Sequence, residues 1–209
     1  MKYGAVWLIA CLPAAWGQAR PNHFNCIGGG VFPCQAQTVS LPATGSLKVT
    51  AVNASVFVET WNAPQILVRV AGQGKGAITV TGPATISARG TAPSAVAVMI
   101  KLPAGTDLKI STVNGGLSLH GVTGDVTANA VNGGVSIIVG GSWAGQSLVV
   151  NAVNGDIAVA VPADCSARVT ASATGGTVSG NFPAATGGPG SSRIILAAVK
   201  GDITVWTED

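Results

Sequence analysis

Alternating apolar runs in this sequence end repeatedly on the same short turn. Thr112-Val-Asn-Gly-Gly, Ala130-Val-Asn-Gly-Gly and Ala152-Val-Asn-Gly-Asp are the close copies. Ala51-Val-Asn-Ala-Ser, Ala173-Thr-Gly-Gly and Ala198-Val-Lys-Gly-Asp are looser ones. The steps from Asn114 to Asn132 to Asn154 are 18 and 22 residues. A longer unit recurs with the turn. Leu41-Pro-Ala-Thr-Gly-Ser-Leu-Lys-Val-Thr-Ala-Val-Asn53 aligns without a gap on Leu102-Pro-Ala-Gly-Thr-Asp-Leu-Lys-Ile-Ser-Thr-Val-Asn114, and the stretch from Val161 follows it with one extra residue. A unit of about 20 residues is too small to bury its own apolar face, so it has to stack on its neighbours.

The runs between the turns alternate with period two, as in Leu47-Lys-Val-Thr50, Ile66-Leu-Val-Arg-Val70, Leu117-Ser-Leu119 and Ile203-Thr-Val-Trp206. They are rich in β-branched residues and bounded by Gly, Pro or Asn, and nothing shows a period of 3.6. The reading is all-β: a single right-handed parallel β-helix-like solenoid over residues 41–209, with an N-terminal cap segment at 20–40. A β-sandwich is the alternative, because short strands with frequent turns also suit it. Asn53, Asn114, Asn132 and Asn154 are expected at equivalent corners, where stacked amides can bond to one another. Gly115, Gly133 and Gly155 are expected in or near left-handed backbone. Asp156, Gly201 and Asp202 are assigned to the same turn chemistry.

Lys2, the apolar run to Trp16 and the small residues Gly17 and Ala19 follow the order of a secretory leader cut after Ala19. The run is too short to span a bilayer. Leu8-Ile9-Ala10-Cys11 offers a second reading, a lipid anchor at Cys11. Without Lys2, 10 basic residues face 8 acidic ones. With so little net charge and no basic stripe, a nucleic-acid partner is not expected. Cys26 and Cys34 flank a short glycine-rich loop, and in an oxidising compartment a disulfide between them is expected. Cys165 is left over as a small apolar core residue.

The motif of Val/Leu-Pro, an alternating strand, Thr/Ala-Val-Asn-Gly-Gly/Asp and a second strand resembles the bacterial DUF4097 family of adhesin-labelled proteins, across roughly residues 38–206. The head domains of autotransporter adhesins look similar. The resemblance implies a single-stranded parallel β-helix, exported or joined to a membrane-anchored region. It carries no catalytic residues to transfer.

A search for chemistry finds little. His23 and His120 are the only histidines, and His120 with Asp125 lacks a nucleophile elbow. Gly-Asp recurs at Asp125, Asp156 and Asp202, which suits turns better than calcium. No metal and no cofactor is expected. Trp61 and Trp143 sit in loop-like sequence and are the ligand-contact candidates, since exposed aromatics stack on sugar or protein. The expectation is a non-catalytic, exported, adhesin-like module whose partner is a surface glycan or protein. A carbohydrate-binding or polysaccharide-cleaving β-helix protein is the alternative.

Overall fold

Period-two alternation sends every second side chain to one side of a strand, so stacked runs present one apolar wall and one polar wall. The computed structural model describes residues 22–26, 34–72, 76–81, 85–92, 96–141, 143–181 and 191–208, with side-chain environments from residue 40 on, 72–78 and 80 excepted. Among the described residues no helix forms and the strands are β1 (Asn22–Cys26), β2 (Cys34–Pro42), β3 (Ser46–Val52), β4 (Ala54–Trp61), β5 (Gln65–Gly72), β6 (Gly76–Thr81), β7 (Thr85–Gly90), β8 (Val96–Pro103), β9 (Asp107–Val113), β10 (Leu117–Val122), β11 (Val126–Asn132), β12 (Val135–Val139), β13 (Ser147–Asn154), β14 (Ile157–Pro162), β15 (Ala167–Ala173), β16 (Val178–Gly180), β17 (Ser192–Lys200) and β18 (Ile203–Glu208).

Each coil gives one strand to sheet A and the next to sheet B, except β5/β6, which gives them in the opposite order. Sheet A runs β1-β6-β7-β3-β9-β11-β13-β17-β15, and sheet B runs β2-β5-β8-β4-β10-β12-β14-β18-β16. The two sheets therefore face each other coil by coil, which makes the molecule a two-sheet solenoid. From β7/β8 to β15/β16 all neighbours are parallel. At the other end β5 and β6 run in reverse, so β1–β6, β6–β7, β2–β5 and β5–β8 are antiparallel. The segment read as a cap thus supplies edge strands to both sheets.

The stacking order departs from chain order. The coil β3/β4 lies between β7/β8 and β9/β10, and the last coil, β17/β18, lies between β13/β14 and β15/β16. Each strand of the last coil bonds on both sides, β17 to β13 and β15, β18 to β14 and β16.

The inner walls meet in one apolar core. Leu47, Ile110, Ile137, Leu148, Ile157, Leu196 and Ile203 are fully buried. Beside the Asn corner the inner residue is small in almost every coil: Ala51, Ala130, Ala152 and Ala198 are all buried, with Thr112 in the same column. Thr112 is the bulkiest side chain of that column.

The corner itself is a ladder. Asn114 Nδ2 donates to Asn53 Oδ1 at 2.9 Å, Asn132 Nδ2 to Asn114 Oδ1 at 2.7 Å, and Asn154 Nδ2 to Asn132 Oδ1 at 2.7 Å. Asn53 closes the row by donating to the Gly90 carbonyl at 3.2 Å. The expected role of the glycines holds only in part. Gly133 and Gly155 do have positive φ, at 156° and 159°, whereas Gly115 does not, and at the two earlier corners the left-handed residues are Asn53 at φ 54° and Asn114 at φ 57°. Glycine is required throughout the column for a further reason, because it is packed backbone on backbone. A Cβ on Gly115 would lie 2.6 Å from the Ala54 carbonyl carbon, one on Gly133 2.7 Å from that of Gly115, one on Gly155 2.6 Å from that of Gly133, and one on Gly201 2.6 Å from that of Gly155.

Two further rows of side chains tie coil to coil through the main chain, one at the entry to the sheet A strands and one at the entry to the sheet B strands. Asp107 Oδ1 accepts the Asp125 N–H at 2.9 Å, and Asp125 Oδ1 accepts that of Ser147 at 2.8 Å. Asp156 Oδ1 accepts the Asp202 N–H at 2.9 Å, and Asp202 Oδ1 accepts both the N–H and the hydroxyl of Thr177, at 2.7 and 2.8 Å. The two Thr177 bonds hold the Asp202 carboxyl below its ordinary range.

Candidate functional site

On β4 the alternation puts Val56 and Val58 in the core, which forces Phe57, Glu59 and Trp61 onto the outer face of sheet B. Phe57 is 47% exposed in the middle of a strand. Its register neighbours are Met99 on β8 and Ser118 on β10. One step along, Glu59 lies between Lys101 and His120, and one further, Trp61 lies beside Pro103. Glu59 and Lys101 form a salt bridge at 3.0 Å. With both groups exposed it contributes about 0–1 kcal/mol and mainly fixes the two side chains against the sheet.

Two shallow depressions flank Phe57. One, about 470 Å³, is lined by Met99, Glu59, Lys101, Ser118 and His120. The other, about 310 Å³, lies over Gly116 and Gly134, where no side chain rises from the strand ends, and is edged by Ser55, Ser136, Asp156 and Ala158. The result is an aromatic ridge between two concavities carrying hydroxyls, one imidazole and one ion pair. Such a face can stack on an apolar or sugar ring and exchange hydrogen bonds at its margins.

The two tryptophans part company. Trp61 is half-buried, and its Nε1 donates to the Gln65 carbonyl at 2.8 Å, which ties the ring to the β4–β5 turn at the end of the Phe57 row. Trp143 is 3% exposed and belongs to the core, so it is no surface contact. Its carbonyl accepts the Ser192 hydroxyl at 3.0 Å and the Cys165 thiol at 3.8 Å. Cys165 packs half-buried against the core, and burial, with the nearby Asp164, pushes its thiol pKa up. His120 is exposed on β10, and among the described residues no group of three or more His, Cys, Asp or Glu gathers at metal-binding distance. The side chains of Cys26 and Cys34, and all of Cys11 and the leader, lie outside the described residues.

Phe57 was missed in the sequence although its signal was present. Ala54-Ser-Val-Phe-Val-Glu-Thr-Trp61 alternates, and once Val56 and Val58 are assigned inward the phase leaves Phe57 outside.

Fold and face together define a two-sheet β-solenoid with an aromatic side chain exposed on one sheet. Among solved structures it is similar to the crystal structure of a "putative cell adhesion protein" from Clostridium sporogenes, with a TM-score of 0.68 at 12% identity over 83% of this chain and 99% of that one. At that identity the likeness is one of fold. No protein-family model and no curated protein matches the chain.

Proposed function

We propose that this chain is an exported, non-catalytic, adhesin-like module of the kind the DUF4097 resemblance implies, and that it meets its partner through the outer face of sheet B around Phe57 and Trp61. The leader at residues 1–19 and a Cys26–Cys34 disulfide belong to the same proposal. The observation that carries it is Phe57. A large aromatic half exposed at mid-strand, flanked by two concavities, leaves apolar surface uncovered for a partner to bury. The name of the Clostridium structure points the same way. The non-catalytic reading draws on the depression beside Phe57: Glu59 is the one carboxylate lining it, whereas glycoside hydrolysis typically uses a pair of carboxyls on either side of the bond.

Covering the exposed half of Phe57 contributes about 1–1.5 kcal/mol, or roughly tenfold in affinity. The test is a glycan array and a protein pull-down run in parallel with the purified chain and with Phe57→Ser. Tenfold weaker capture of the same ligands by Phe57→Ser, with an unchanged melting curve, supports the contact face. Equal capture, or capture of nothing by either protein, overturns it.

A further inference from the structure

No basic run occurs in the sequence, yet stacking the coils gathers cations on one face. On the outer side of sheet A, Lys48 of β3 lies in register with Lys109 of β9. Four coils along, Arg168 of β15 lies in register with Arg193 of β17. Arg89 faces outward on β7, beside Val52 of β3. All five side chains are exposed. None takes part in a salt bridge among the described residues, where Lys101 and Glu59 on the opposite sheet form one. The acidic groups at this face are Asp107, in register with Ser46, and Asp125, and each spends one carboxylate oxygen on the main chain of the next coil.

Like charges directly opposite on neighbouring strands weaken a sheet. Two such pairs are retained here without a neutralising partner between them. Between the pairs, the outward residues are Asp125, Thr127 and Asn129 at β11 and Ser147, Val149 and Asn151 on β13, all but Val149 hydrogen-bonding in kind, with Asn151 donating to Asn129 at 3.0 Å. From β9 to β17 there are three strand steps, or about 14 Å at ~4.8 Å per step. One small anion cannot reach both pairs, but an extended polyanion can.

We propose that the outer face of sheet A binds a linear acidic polysaccharide, carboxylated or sulfated, laid along the stacking direction so that its anionic groups meet the Lys48–Lys109 and Arg168–Arg193 pairs. Guanidinium forks match carboxylate and sulfate oxygens two at a time. The hydroxyl and amide columns between the pairs match sugar hydroxyls. A nucleic acid fits less well. No aromatic side chain faces outward on β3, β7, β9, β11, β13, β15 or β17 to stack a base. This face is opposite to that of Phe57, so the proposal stands or falls separately from the contact role given to Phe57.

The test uses the full chain on immobilised alginate (carboxylated), dextran sulfate (sulfated), neutral dextran and duplex DNA. The variants are Lys48→Gln with Lys109→Gln, Arg168→Gln with Arg193→Gln, and Phe57→Ser as control. The expected result is binding to alginate, dextran sulfate or both, and none to dextran. Each double variant should weaken binding at least ~10-fold and lower the slope of log K against log salt by about two, while Phe57→Ser leaves both unchanged. Circular dichroism should show the double variants folded, with melting temperatures no lower than the parent's, since each removes a like-charge pair. Failure to bind either acidic polysaccharide at low salt overturns the proposal. So does equal retention of the folded double variants, or tighter binding to DNA than to both polysaccharides.

Discussion

Gly133 and Gly134 are adjacent in the chain and differ completely in what a methyl group would meet. A Cβ on Gly133 would overlap the Gly115 carbonyl, 2.7 Å from its carbon and 3.1 Å from the Gly116 nitrogen. Those are backbone atoms of the coil below, which cannot swing aside as a side-chain tip can. Gly133 also sits at φ 156°, a region side chains seldom occupy. A Cβ on Gly134 would have as its nearest neighbour the Asp156 carbonyl oxygen at 3.6 Å, an ordinary contact. Gly133→Ala therefore has to pry two coils apart or move the corner, at a cost of about 2–4 kcal/mol from overpacking and backbone strain together. For a chain of this length that is a fall of roughly 5–15 °C in melting temperature. Gly134→Ala should change it by no more than about 2 °C, and in either direction, because the lost chain entropy of glycine offsets any small crowding. Thermal unfolding of the two variants side by side, followed by circular dichroism, decides the matter. Equal melting temperatures would refute the claim that the glycine column exists for close backbone stacking rather than for turn flexibility.

Asn132→Ala removes two ladder bonds, one to Asn114 and one from Asn154, and should cost about 1–2 kcal/mol in denaturant titrations; Asn129→Ala, which removes one, should cost less. Thr112 is 1% exposed and its hydroxyl has no partner, so Thr112→Val should raise the melting temperature by a few degrees, corresponding to about 1 kcal/mol, and a fall would show that the hydroxyl is engaged. Because the Asp202 carboxyl is held below its ordinary value of 3.8 by Thr177, its contribution is complete above that value and is lost as pH falls through the lowered one. Amide protection in the β15/β16 coil, that is exchange relative to the intrinsic rate at the same pH, should therefore fall on acidification through that range in the parent protein, and Asp202→Asn should remove the pH step while leaving the coil less protected throughout.

Local features were legible because a turn has to look like a turn. The Val-Asn-Gly repeats located the corner, the amide ladder followed from their equivalence, and alternation located the strands. What the sequence hides is order and register. Every coil offers nearly the same edge, so nothing in the local pattern of 192–208 says that it enters between β13/β14 and β15/β16 rather than stacking outside them. The Lys48–Lys109 and Arg168–Arg193 pairs are invisible for the same reason, since only register brings residues from separate coils together. Trp143 misled because Gly140-Gly-Ser-Trp-Ala-Gly145 has the composition of a loop, and a single large side chain dipping inward leaves no period to read. The role of the glycines was only half legible because Asn and Gly both accept positive φ, and the close carbonyl of the neighbouring coil, which excludes a Cβ at Gly115, Gly133 and Gly155 alike, comes from a residue remote in the chain.

The intercalated coil β17/β18 sets a rule for how the solenoid is assembled during synthesis. Residues leave a ribosome in order, so β15 and β16 arrive while their final neighbour does not yet exist. Coils β9/β10 to β13/β14 can be added one on another as they emerge, but that vectorial assembly has to halt at β14. The waiting coil then either remains unstacked or docks temporarily on β13/β14 and is displaced when β17/β18 slides in. The coil made after β15/β16 is thus a wedge rather than a lid, and its arrival locks four strands at once.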